Sequence, residues 1–137
     1  MLEHLCIADE LYEAPLAKLL ASNRPDASAE SREWKPSLIG GLIASSLAKP
    51  KPLKSPKVFQ PGPTPRNGIV ETFLAREQRF ITAMDDAMAY DWQALRIKSP
   101  ALPKWAPSMN VGDGFRIHIV HLTRHSRQVE RLVSKLA

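Results

Sequence analysis

The chain has a single cysteine, Cys6, so no intrachain disulfide can brace it, and sparse thiol usage fits a reducing compartment. It has no long apolar run. The longest, Leu38 to Ala44, contains two glycines and falls well short of the roughly 20 residues that span a bilayer. No basic-then-apolar leader opens the sequence, so the expectation is a cytoplasmic protein without a membrane partner. Aromatic residues make up 7% of the chain and do not interleave with its basic residues, which argues against a base-stacking surface. There is no Gly-x-Gly-x-x-Gly, no Cys-x-x-Cys and no Ser-His-Asp candidate. Dinucleotide binding, thiol-disulfide exchange and acyl transfer through a serine triad therefore have no support.

What is present is ordinary for a folded domain. At 137 residues, with 44% hydrophobic and 24% charged residues, the chain suits one domain spanning 1–137 with a single core. Its net charge of +5 is local. Lys49, Lys51, Lys54, Lys57 and Arg66 lie in a stretch without acids, and removing these five from the 19 basic residues leaves 14 against 14 acidic ones. A basic segment that is also Pro-rich is a solvated connector, so no nucleic-acid partner is expected.

Periodicity predicts an all-α chain. Leu2, Leu5, Tyr12, Leu16 and Leu19 mark one face of a helix from Leu2 to about Ser22, which Pro15 should kink or break. A weaker helical piece over about 29–47 carries Trp34, Leu38, Leu42 and Ile43. Residues 49–65 hold six prolines and read as an extended connector that Val58 and Phe59 could pin to the bundle. Thr64-Pro65 or Asn67 can start the next helix, which runs to about Tyr90 on a stripe of Val70, Phe73, Leu74, Phe80, Ile81, Met84 and Met88. Glu77 interrupts that stripe. It is either an inward acceptor for a ligand imidazole or an edge residue paired with Arg76 or solvent. From Asp91 to Ser108, prolines predict a loop in which Trp92 and Trp105 could cap the open end of the bundle. Asn110 and Asp113 then begin the last helix.

That last helix holds three of the four histidines. Val111, Phe115, His118, Leu122, His125, Val129, Leu132 and Leu136 recur at steps of four and three, the spacing of a seam facing a partner helix. At about 100° per residue, His121 projects from the same side. His121 and His125, four apart, are helix neighbours about 5–6 Å apart and can share one metal ion. His118 with His121 is a second pairing the spacing allows. Cys6 lies about 200° around the helix from His4 and reads as a small core residue.

His121-Leu-Thr-Arg-His125-Ser-Arg-Gln128 resembles the last-helix signature of the DinB-like (damage-inducible) superfamily, in which a His-x-x-x-His pair precedes a Gln. Met109-Asn-Val-Gly-Asp-Gly-Phe115 is similar to that family's entry into the same helix, and Glu3-His4-Leu5 to the His-Leu dipeptide that supplies its third ligand. The resemblance implies a four-helix bundle holding one divalent ion on His4, His121 and His125. Zinc or nickel suits three imidazoles best, with iron, copper or manganese also compatible. It further implies a thiol transferase or hydrolase, with a low-molecular-weight thiol as partner. The alternative is a non-catalytic metal-binding or stress-associated interaction protein. In the family, a helix of about 25–30 residues precedes the His-Leu dipeptide, whereas here His4 follows Met1-Leu2-Glu3. The expectation is thus a bundle short of one wall, with His4 at a frayed terminus and an apolar stripe covered by a second copy, or by chain from a start further upstream, unless the Trp34 to Leu47 segment closes it.

Overall fold

A computed structural model describes residues 1–136, which are predominantly helical. Four helices, α1 (Leu2–Ala21), α2 (Leu38–Ala48), α3 (Ile69–Ala87) and α4 (Val111–Leu136), carry the fold. A two-residue antiparallel ladder joins β1 (Arg96–Ile97) to β2 (Met109–Asn110), with Arg96 opposite Asn110. Regular pairing at this place was not expected of a loop bracketed by Pro100, Pro103 and Pro107. It forms because Ile97 and Met109 both bury their side chains under α4.

α1 packs chiefly on α3, and α2 on α4. Between the pairs lies one core that includes Leu16, Ala44, Ala87, Met109, Val111 and Phe115. Pro15 does not break α1, which runs through it as a single helix. The ring is exposed, so a lost amide bond on the solvent side is tolerated there. The second helical piece is shorter than expected. Only a single 3-10 turn, Ala29–Ser31, precedes α2, because Pro36 biases Lys35 away from helical geometry and Ser37 then caps Leu38 by accepting from the Gly40 amide. α2 packs on α4 but stops short of the apolar positions at the end of that helix.

The α2/α4 contact depends on closely approaching backbone. Asn110 and Asp113 form a reciprocal box: the Asp113 amide donates to Asn110 Oδ1 at 2.9 Å, and the Asn110 amide to Asp113 Oδ2 at 3.0 Å. Asp113, fully buried, also accepts from the Ser37 amide and from Ser37 Oγ at 2.5 Å, while Trp34 Nε1 donates to Asn110 Oδ1 at 2.8 Å. Two glycines make room for this network. A Cβ on Gly40 would lie 2.1 Å from the Asp113 carboxyl carbon, and one on Gly112 would lie 2.1 Å from the Trp34 indole nitrogen.

α3 starts later than expected, at Ile69 after a left-handed Gly68, and ends at Ala87. Its inward face is Phe73, Glu77, Phe80, Met84 and Ala87, whereas Val70, Leu74, Ile81 and Met88 point to solvent. The last turns of α4 likewise expose Leu132, Val133 and Leu136, because α2 is too short to reach them. Trp92 packs on Phe115 and donates Nε1 to the Ala87 carbonyl, closing that end of the core. Trp105 does not share the task, being 84% exposed. The connector is mainly irregular with one 3-10 turn, Lys57–Phe59. Phe59 is buried against α1 and Val58 is exposed, while Arg124 donates to the carbonyls of Leu47, Lys49 and Lys51.

This packing predicts a sharp contrast in stability. Gly112→Ala and Gly40→Ala should each lower unfolding free energy by about 1–3 kcal/mol or more, since both force a side chain into a buried polar network. Lys51, Lys54 and Lys57 have exposed side chains, so their joint replacement by Gln should change it by under about 1 kcal/mol. Urea denaturation of the three proteins checks both statements.

Candidate metal centre

α1 delivers His4 from its first turn, and α4 delivers His121 and His125 from one face. The three imidazoles converge. His4 Nε2 lies 3.0 Å from His121 Nε2, and His121 Nε2 lies 3.1 Å from His125 Nε2. Their rings meet edge to face, with centroids 4.7–5.2 Å apart. His4 is not left frayed at the helix end. Its Nδ1 faces the Phe59 carbonyl at 2.9 Å, and the neighbouring Glu3 accepts from the backbone amide and guanidinium of Arg66.

The donor set fits a divalent ion. With Nδ1–H donated to the Phe59 carbonyl, His4 has the tautomer whose Nε2 lone pair points into the cluster. His121 Nε2 faces two other Nε2 atoms and, as a neutral imidazole, can offer at most one hydrogen to them. The geometry therefore concentrates lone pairs on one point, which a cation satisfies. Burial holds the pKa of His121 down to about 3, helped by the positive charge its histidine neighbours would carry if protonated. Burial and the proximity of His4 lower that of His125 as well. At neutral pH both rings are in the uncharged form that ligates metal.

Comparison with family models, curated proteins and solved structures finds no match for this chain. The reading of the site accordingly rests on its own geometry and chemistry.

His118 does not join the triad. Its Nδ1 lies 3.0 Å from Asp9 Oδ1 and its Nε2 lies 3.1 Å from Glu77 Oε2. Glu77 thus turns inward, but the imidazole it meets is His118 and not one of the three converging rings. Arg76 pairs instead with Glu10 and Glu13 across α1. Cys6 is buried and stands outside both clusters, and burial raises its thiol pKa.

Asp9 is the residue that sequence reading passed over. The apolar positions Leu5, Tyr12 and Leu16 leave a gap at position 9, the one place where steps of four, three and four need an inward residue. A buried aspartate fills it. The signal was a break in periodicity on α1, matched by Glu77 on α3 and His118 on α4.

A cleft of about 510 Å³ opens beside the triad, with Phe59, Leu53, Ile43, Leu47 and Gln128 among its walls. Trp105 does not line it.

The two histidine environments predict opposite pH effects on the metal-free protein. For His121 the folded pKa lies below the ordinary 6.5, so the unfolded chain binds more protons between these values. Its contribution to stability is complete above about 6.5 and is lost as pH falls towards 3. For His118, burial opposes protonation most strongly, but the hydrogen bond and charge of Asp9 with the charge of Glu77 outweigh it and raise the pKa. That contribution is present below 6.5 and is lost as pH rises through the raised value. Chelator-treated protein melted over a pH series should lose stability on the acid side, and His121→Gln should flatten that limb.

Proposed function

We propose that the chain is a metal-binding helical protein of DinB-like type, holding one divalent ion on His4, His121 and His125 and acting as a thiol transferase or hydrolase. The observation that carries this reading is the convergence of three Nε2 atoms, from two helices far apart in sequence, at 3.0 and 3.1 Å. When bound, a divalent ion on three imidazoles supplies an open coordination position and acidifies a water or thiol placed there. All-nitrogen ligation favours zinc or nickel.

The chain's own residues do the rest. The Phe59 carbonyl orients His4 through its Nδ1–H, an outer contact of the kind that fixes tautomer and ring angle in metal sites. The walls of the cleft supply apolar surface that would hold the carbon skeleton of a substrate and exclude water from the open position. Gln128, one turn beyond His125, offers the cleft an amide donor and acceptor. The open cleft favours a site that admits a ligand over one that merely packs histidines. A low-molecular-weight thiol is the partner proposed for it.

Cobalt reports on this directly. Co2+ added to the metal-free protein should give the visible absorption of a nitrogen-ligated, low-coordinate ion, and a small thiol should add a near-ultraviolet sulfur-to-metal band. His4→Ala, His121→Ala and His125→Ala should each weaken Co2+ binding at least about 10-fold, while His118→Ala keeps the visible spectrum. Retention of that spectrum in His121→Ala would refute the triad, and absence of the thiol band would remove the transferase reading.

A further inference from the structure

An ionisable residue turns inward on each of three helices, Asp9 on α1, Glu77 on α3 and His118 on α4, and the three meet in one layer. Their candidate ligand atoms all lie within 4.8 Å of one another. A neutral imidazole carries one N–H, yet both ring nitrogens of His118 face carboxylate oxygens, at 3.0 and 3.1 Å. One of these contacts then sets a lone pair against an anion. Adding a proton to the ring repairs that contact but leaves two carboxylates against one cation, a net charge of −1, where Asp9 is only 8% exposed. It also leaves Asp9 Oδ2 and Glu77 Oε1 buried without any hydrogen-bond partner.

What remains unmet is positive charge and partners for two oxygens. A divalent cation supplies the charge, since two carboxylates against a charge of two give zero, and one ligand atom from each residue already stands within 4.8 Å of the others. The site is also prepared for one. Phe80 stacks on the His118 ring at a centroid distance of 3.5 Å and 18° from parallel, which holds the ring plane. A cavity of about 40 Å³, lined by Asp9, Tyr12, His118 and His121 among others, adjoins the cluster and has room for a water as an additional ligand.

We propose that Asp9, Glu77 and His118 form a second divalent-cation site, one helical turn along α4 from the histidine triad. Two carboxylates and one imidazole make a harder donor set than three imidazoles, so it takes Mn2+ or Fe2+ in preference to the ions suited to the triad. The proposal does not require the triad to be occupied.

Mn2+ is the probe, because its free and bound forms are distinguished by electron paramagnetic resonance. The metal-free protein should bind one Mn2+ at a site that survives His121→Ala and is weakened at least about 10-fold by Glu77→Gln. The Co2+ spectrum of the triad should persist in Glu77→Gln, so that failure of one site is distinguishable from failure of the other. Asp9→Asn serves as a second variant should Glu77→Gln not keep the native circular dichroism spectrum. Absence of Mn2+ binding to the wild-type protein overturns the proposal, as does unchanged Mn2+ affinity in Glu77→Gln and Asp9→Asn.

Discussion

Asp113 is completely buried and draws hydrogen bonds from three separate donors: the Asn110 amide, the Ser37 amide and the Ser37 hydroxyl. The first sets where α4 begins, and the other two set where α2 begins. Because a helix advances about 100° per residue, fixing its first turn fixes the direction in which every later side chain leaves it. The aim of His118, His121 and His125 is therefore determined some five to twelve residues upstream, at a box outside both histidine clusters. Gly40 and Gly112 are part of the same constraint, since only residues without Cβ allow the carboxylate and the indole into place.

The same helix presents two histidines, His118 and His121, to opposite electrostatic environments within one turn. His121 is buried among other imidazoles, where a proton is disfavoured by desolvation and by like charge. His118 is as enclosed, but two carboxylates attract the proton that burial would expel. One environment keeps its imidazole neutral, and the other gathers negative charge around the ring.

The connector contributes through backbone and one aromatic residue. Phe59 walls the cleft and gives its carbonyl to His4, and the Leu47, Lys49 and Lys51 carbonyls are held by the Arg124 guanidinium. Arg66, at the far end of the connector, ties Glu3 and Glu10 of α1, and its guanidinium holds both carboxyls below their usual pKa. Through these contacts a mainly irregular segment orients the first turn of α1, and with it His4, which sequence alone placed at a loose end.

The amino-acid sequence by itself determined the all-α class, the capping of α4 by Asn110 and Asp113, and the shared face of His121 and His125. Each of these follows from local spacing, which a helix converts directly into direction. Only tertiary structure decided that α2 packs against α4, that α3 turns Glu77 inward while Val70 and Leu74 face solvent, and that His118 belongs with Asp9 and not with His121. Those outcomes depend on which helices meet. Meeting is governed by backbone approach at Gly40 and Gly112 and by long-range polar partners, whose identity no residue reveals until its distant neighbours are in place.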